Sequence, residues 1–247
     1  MQSWEYFLNT HYNKIINIFE TACIAVSFFM AKTISKLRWE KLRQRMIVYG
    51  IDDIPLTAIP LNITEVTKQP EEAAARLLLL LSIAFSASNA AETDKIADWL
   101  KTEELWLAAS EVEKTFFREH ETSEDKRATL SFQFEGAYML AWALGKVKIY
   151  PDPSSECDAE LVADFFSFIP PLFSETDSLF EDARFRKVVA IHDEYLFYSM
   201  TQLYFKHIRE VDKENTSNIH EAAAYQRFLV LEWLMNDVEW DEEEEEE

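Results

Sequence analysis

An all-α fold, an irregular multi-helix bundle in a single domain, is the class this sequence predicts, and three observations predict it. Only three glycines occur in 247 residues (Gly50, Gly136, Gly145), too few for the turns of an all-β fold or for a loop that cradles phosphate. Hydrophobic residues make up 48% of the chain and aromatics 14%, which supplies a sizeable core and excludes wholesale disorder. Apolar residues then recur every three to four positions in segment after segment, the spacing of one helix face. The chain divides into an N-terminal helical arm (1–48), a helical domain (49–240) and an acidic tail (241–247).

The arm contains the nearest approach to a membrane span, the 17 residues Ile15 to Ala31. Its eight strong apolar side chains supply about −4 kcal/mol of insertion free energy, while Glu20 alone costs about 3. The segment is also at the short limit for a span. The expectation is therefore a helix buried in the core or in a partner subunit, with Ile18, Phe19, Phe28 and Phe29 as interaction residues. Membrane contact through residues 15–45 is the less favoured reading. The following cluster, Lys32, Lys36, Arg38, Lys41, Arg43 and Arg45, reads as the solvated face of the continuing helix, whose apolar side carries Ile34, Leu37, Leu42 and Met46. An anchor to an anionic surface, or contact with the acidic body of this or another copy, are the sharper alternatives.

Gly50 ends that helix, and the stretch with Pro55 and Pro60 is extended. Pro70 opens the next helix, with Glu71 and Glu72 matched to the positive end of its dipole. Its face of Ala74, Leu77, Leu78, Leu81, Ala84 and Phe85 is core, and Arg76 beside it needs a buried acceptor if it points inward. Thr93 is expected to cap a short helix holding Ile96, Trp99 and Leu100. Leu105, Trp106, Ala109, Val112 and Phe116 mark another.

Thr122 and Asp125 form a capping pair for a long central helix. Leu130, Phe134, Ala137 or Tyr138, Ala141 and Leu144 are one stripe of it, and Phe132, Met139, Leu140 and Trp142 make it apolar on nearly every face, so neighbours are expected on several sides. Gly145 occupies the left-handed cap, and Pro151 and Pro153 prevent resumption. Asp158 caps a helix through Leu161, Val162, Phe165, Phe166 and Ile169, which Pro170 and Pro171 stop. Ser174 to Asp182 is a polar loop or a short helical turn, and 184–211 is a long aromatic-rich helix. Asn218 and Glu221 form a capping box for the last helix, through Tyr225, Phe228, Leu229 and Trp233. After Trp240 and Asp241 come six consecutive Glu, a self-repelling, solvated run. It reads first as a solubilising tail and second as a docking strip in which Trp240, Asp241 and Glu242 meet a basic partner. No period of 20–50 residues repeats.

The net charge is −21, and it is uneven. Residues 1–50 hold seven Lys/Arg and three Asp/Glu, net +4, which leaves −25 for residues 51–247. Such a body is unsuited to a nucleic-acid backbone. A basic protein partner or self-association is expected instead. Cys23 and Cys157 stand far apart without a CxxC, which suits a reducing compartment. The first residues lack the features of a secretory signal, so cytoplasm is the expected location.

Phosphate loops, HExxH, GxSxG and paired CxxC motifs are absent. The best remaining constellation for catalysis is Glu135, Arg76 and His192, with Asp193 and Glu194 beside the histidine. If they converged, Glu135 would be a desolvated carboxylate and His192 a base or ligand. Against this, consecutive helix residues point about 100° apart, and a Glu beside Gly136 in a packed helix is expected to pair with an arginine such as Arg76. His207 and Glu210 supply too few ligands for a metal. No cofactor and no metal site is expected.

Three stretches together resemble an uncharacterised helical bacterial family, the domain-of-unknown-function family 4272. They are Gly50 to Leu81, Ser131 to Asp158 (SFQFEGAYMLAWALGKVKIYPDPSSECD) and Tyr225 to Glu242, in the family's order; the resemblance runs from about Arg43 to Glu242. The segment around Tyr198 to Phe205 is similar to a loosened form of the family's Tyr-Arg-x-x-His-Trp stretch, here Tyr-Ser-Met-Thr-Gln-Leu-Tyr, and the first forty or so residues look additional. The resemblance implies an all-helical domain and supplies no reaction. The function expected is non-enzymatic: an adaptor, or an inhibitor of the immunity-protein kind, that engages a basic partner through an acidic surface, with the arm mediating assembly. An enzyme with an unmarked carboxylate or histidine site in an interhelical cleft is the alternative, and a peripheral membrane protein the third reading.

Overall fold

A computed structural model describes residues 36–52, 65–119 and 123–240. The chain parts into two compact units, Met1–Arg45 with Pro60–Asn62, and Met46–Ile59 with Ile63–Glu247. Of the first, the described part is the beginning of a helix, α1 (36–48); every contact given below lies in the second. The readings on Ile15 to Ala31, Cys23, Pro55, Pro60, Thr122 and the tail from Asp241 onward lie outside the described residues.

All regular structure among the described residues is helical. After α1 come α2 (Pro70–Ser88), α3 (Thr93–Thr102), α4 (Glu111–Arg118), α5 (Glu124–Ser131), α6 (Gln133–Ala143), α7 (Ala159–Phe166), α8 (Asp177–Glu181), α9 (Val188–Glu210) and α10 (Glu221–Met235), with short 3₁₀ turns at Ala90–Glu92 and Leu105–Ala108. None of the helices described is long and apolar enough to cross a membrane.

α6 is the centre, as its all-round apolarity predicts: every residue from Glu135 to Ala143 is buried. It packs on α2 and α10, and α10 packs in turn on α9. The approach is close because Gly136 has no side chain. A Cβ there would stand 3.0 Å from Val230 Cγ1 of α10 and 3.3 Å from Leu80 Cδ1 of α2. Gly145 closes the helix at φ +68° and Gly50 closes α1 at φ +81°, and Lys146 N–H returns to Ala141 O at 2.9 Å, the bond pattern of a left-handed C-terminal cap.

Several local expectations hold at the level of single caps. Pro70 is in the first turn of α2, and Asp158 accepts from Glu160 N–H at 2.9 Å and Leu161 N–H at 3.0 Å at the start of α7. Others shift. The long central helix is two helices, because around Phe132 the backbone closes i→i−3 bonds (Phe132 N–H to Thr129 O, Glu135 N–H to Phe132 O) that interrupt the α ladder. Ser123 caps the first of them. The Leu105–Phe116 segment is likewise split, by a capping box of Ser110 and Glu113 that opens α4. Thr93 lies inside α3 rather than capping it. Asn218 is not the cap of α10, since its N–H is spent on Tyr49 O at 2.9 Å and the chain stays extended to His220, which caps instead. The polar stretch after Pro171 does contain a short helix, α8.

Candidate functional site

Two features of the domain combine charge with position: a buried arginine network at the α6–α10 contact, and an acidic cleft on the surface. The network is centred on Arg227, the residue on the buried stripe of α10 that continues Ala223 and Ala224 and precedes Val230, Leu231 and Leu234. Its side chain is wholly buried, and all five N–H donors are used. Nε and Nη2 donate to Glu135 Oε2 at 3.0 and 2.7 Å. Nη2 also reaches Ser155 O at 2.9 Å, while Nη1 reaches Asp152 O at 2.9 Å and Tyr198 Oη at 3.3 Å. Glu135 in turn accepts from Cys157 N–H at 2.7 Å and from the Cys157 thiol at 3.2 Å. Tyr150 extends the network by donating to Glu194, and its hydroxyl lies 3.3 Å from that of Tyr198.

The chemistry of this network is that of a staple. Burial works against the Arg227 cation, but Tyr198 and Glu135 outweigh it and hold it charged. Burial, then the Glu135 carboxylate, push the Cys157 thiol up, and burial raises the Tyr198 phenol. A thiol kept protonated is a poor nucleophile, and a guanidinium with every donor matched has none left for a substrate.

The expected partnership of Glu135 with Arg76 is corrected here. Glu135 faces α10 and takes Arg227. Arg76, nearer the start of α2, is buried too and finds its acceptor in α4. Its Nη1 bonds both Glu113 oxygens, at 2.6 and 2.8 Å, and its Nη2 bonds Ala108 O at 2.9 Å. Arg76 also lies against Trp240, 4.6 Å from the ring centroid, so the described member of the predicted tail strip packs on the domain itself. His192 is buried on α9 with its ring edge-on to Tyr195 at 6.3 Å. Ile18, Phe19, Phe28, Phe29, Asp241 and Glu242 lie outside the described residues. The periodicity of α10 carried a signal for Arg227, which stands on the apolar stripe, and Ser110-x-x-Glu113 carried one for Glu113.

The acidic cleft could not be read from the sequence at all, since it gathers segments seventy residues apart. It has a volume of about 710 Å³ and is lined by the end of α3, the 3₁₀ turn after it, and α8 with the residues before it. Glu103, Glu104, Glu175, Asp177 and Glu181 line it together with the apolar Ala75, Leu105, Ala108 and Phe180, and the lining contains no lysine or arginine. Thr176, buried, ties its two sides by donating to Glu103 at 2.8 Å. Glu104 holds a left-handed backbone at φ 60°, uncommon for a residue with a side chain. Among the described residues no group of three His, Cys, Asp or Glu is placed to hold a metal ion. The carboxylates are spread along the cleft and do not converge on one point.

Compared with known proteins, the chain matches a family model described as "Domain of unknown function (DUF4272)" over residues 38–243. No curated protein and no solved structure matches it.

Proposed function

Because the chain belongs to the DUF4272 family, a domain family with no assigned function, we propose its role from its own residues: a non-enzymatic interaction protein that engages a basic protein partner through the acidic cleft. The observation that carries this reading is the cleft's lining, five carboxylates beside four apolar side chains with no cation among them. The net charge of −21 supports it, because a field of one sign speeds the encounter with an oppositely charged partner. The buried network supports it from the other side, since Glu135, Arg227, Cys157 and Tyr198 are engaged with one another. A cytoplasmic location suits a chain whose Cys157 thiol hydrogen-bonds a carboxylate instead of pairing with another cysteine. The arm at 1–48 is the proposed means of assembly.

An oligolysine peptide tests the reading, with binding followed by fluorescence anisotropy. Neutralising the exposed rim with Glu175→Gln, Asp177→Asn and Glu181→Gln is expected to weaken binding at least ten-fold, roughly one strong charge contact in affinity terms. The same number of neutralisations elsewhere, at Glu210, Glu214 and Glu239, is expected to weaken it far less. Equal loss from the two triple variants reduces the interaction to net charge and removes the cleft from it.

A further inference from the structure

α10, the helix that carries Arg227, begins on an unusual cap. The side chain over its first turn is the imidazole of His220, whose Nδ1 accepts from Ala223 N–H at 3.3 Å. Ser, Thr, Asp and Asn are the ordinary residues there. They cap with an oxygen whose lone pairs survive at any moderate pH. An imidazole caps only with an unprotonated nitrogen, so the ring's one proton is on Nε2, which lies 3.3 Å from Glu156 Oε1. Phe132 from the α5–α6 joint covers the ring at 5.8 Å. Glu221, next along α10, is turned to Arg209 of α9. Glu156 is thus the charged group that meets the imidazole.

The same residue is one of three ties on the segment Asp152–Cys157, with Arg227 and with Glu135 of α6, which holds Cys157 N–H at 2.7 Å. His220 N–H donates to Pro153 O at 2.9 Å, and Arg227 holds Asp152 O and Ser155 O at 2.9 Å each. The His220 and Arg227 ties come from the cap and the body of α10 respectively.

We propose that His220 is a proton-operated cap, which holds the first turn of α10 when neutral and releases it when protonated. The charge balance is simple. One proton taken from solvent onto Nδ1 converts the acceptor facing Ala223 N–H into a donor. The imidazolium then stands at the positive end of the helix dipole, where a cation is disfavoured. Its favourable interaction is with Glu156, which Nε2 already meets in the neutral form, so the ring keeps the loop carboxylate and gives up the helix.

Amide hydrogen exchange on the full chain tests this, read as protection factors so that the intrinsic pH dependence of exchange is removed. From about pH 8 to about pH 5, the span over which imidazole side chains change charge, protection at Ala222, Ala223 and Ala224 is expected to fall about five-fold, the size of one lost side-chain cap. His220→Asn caps with a carbonyl oxygen and is expected to keep that protection flat across the same span. Protection that does not change in the wild-type chain, or that falls equally in His220→Asn, overturns the proposal. So does nitrogen NMR placing the proton of neutral His220 on Nδ1.

Discussion

Arg227 illustrates how much a single buried charge demands. Its guanidinium is fully out of solvent, and only because four different groups accept from it is the desolvation offset. Arg227→Met leaves Glu135 buried with the Cys157 contacts alone, and is expected to cost about 3–5 kcal/mol in urea unfolding. Adding Glu135→Leu to that variant is expected to recover much of the loss, since an apolar pair needs no partners. The raised acids around the network set a second expectation. Cys157, Tyr198 and Tyr138 all bind their protons more tightly folded than unfolded, for burial first and then, for Cys157 and Tyr138, the nearby carboxylates of Glu135 and Asp164. The stability they lend is whole below about pH 8.5, where a thiol of the unfolded chain begins to ionise, and is lost as pH rises beyond it. Urea midpoints measured upward from about pH 8 should therefore decline, and Cys157→Ser should remove the earliest part of the decline.

At the scale of the elements, α6 shows that a helix can be placed by what it lacks. Gly136→Ala adds helix propensity worth about 1 kcal/mol, yet its methyl would meet Val230 Cγ1 at 3.0 Å and both Gln226 O and Leu80 Cδ1 at 3.3 Å. The Gln226 oxygen is backbone and cannot step aside without moving α10. A net loss of about 1–3 kcal/mol in thermal unfolding is expected; a stabilised variant would show that α10 yields. Glu113 shows the opposite economy, one carboxylate serving two elements. It accepts from Ser110 N–H at 2.9 Å to open α4 and binds Arg76 to tie α4 to α2. Caps were legible in the sequence where side chain and helix start are adjacent and unopposed, as at Pro70 and Asp158. They were misread where the tertiary structure claimed the backbone first. Asn218 has the better capping side chain, but its N–H belongs to Tyr49.

For the whole molecule, the uneven charge makes the proposed binding at the cleft a question of rates. Oppositely charged surfaces gain mostly in association rate, and that gain is screened once the Debye length falls below the span of the site. Binding of a basic probe should therefore slow by at least ten-fold between about 0.02 and about 0.5 M salt in stopped-flow mixing, with a smaller change in the dissociation rate.

What the sequence by itself determined was the class of the fold and the inward faces of its helices, including the central position of α6. That information is local: apolar spacing at 3.6 residues per turn is set by neighbours in the chain and survives whatever the loops do. Which buried charge meets which was decided only by the tertiary structure. Glu135 and Arg227 are 92 residues apart, and no periodicity distinguishes Arg227 from Arg76 as the partner. The cleft was decided there as well. Glu104 and Glu181 are ordinary solvated acids along the chain, and they become walls of one anionic hollow once the α3 turn and α8 are brought side by side.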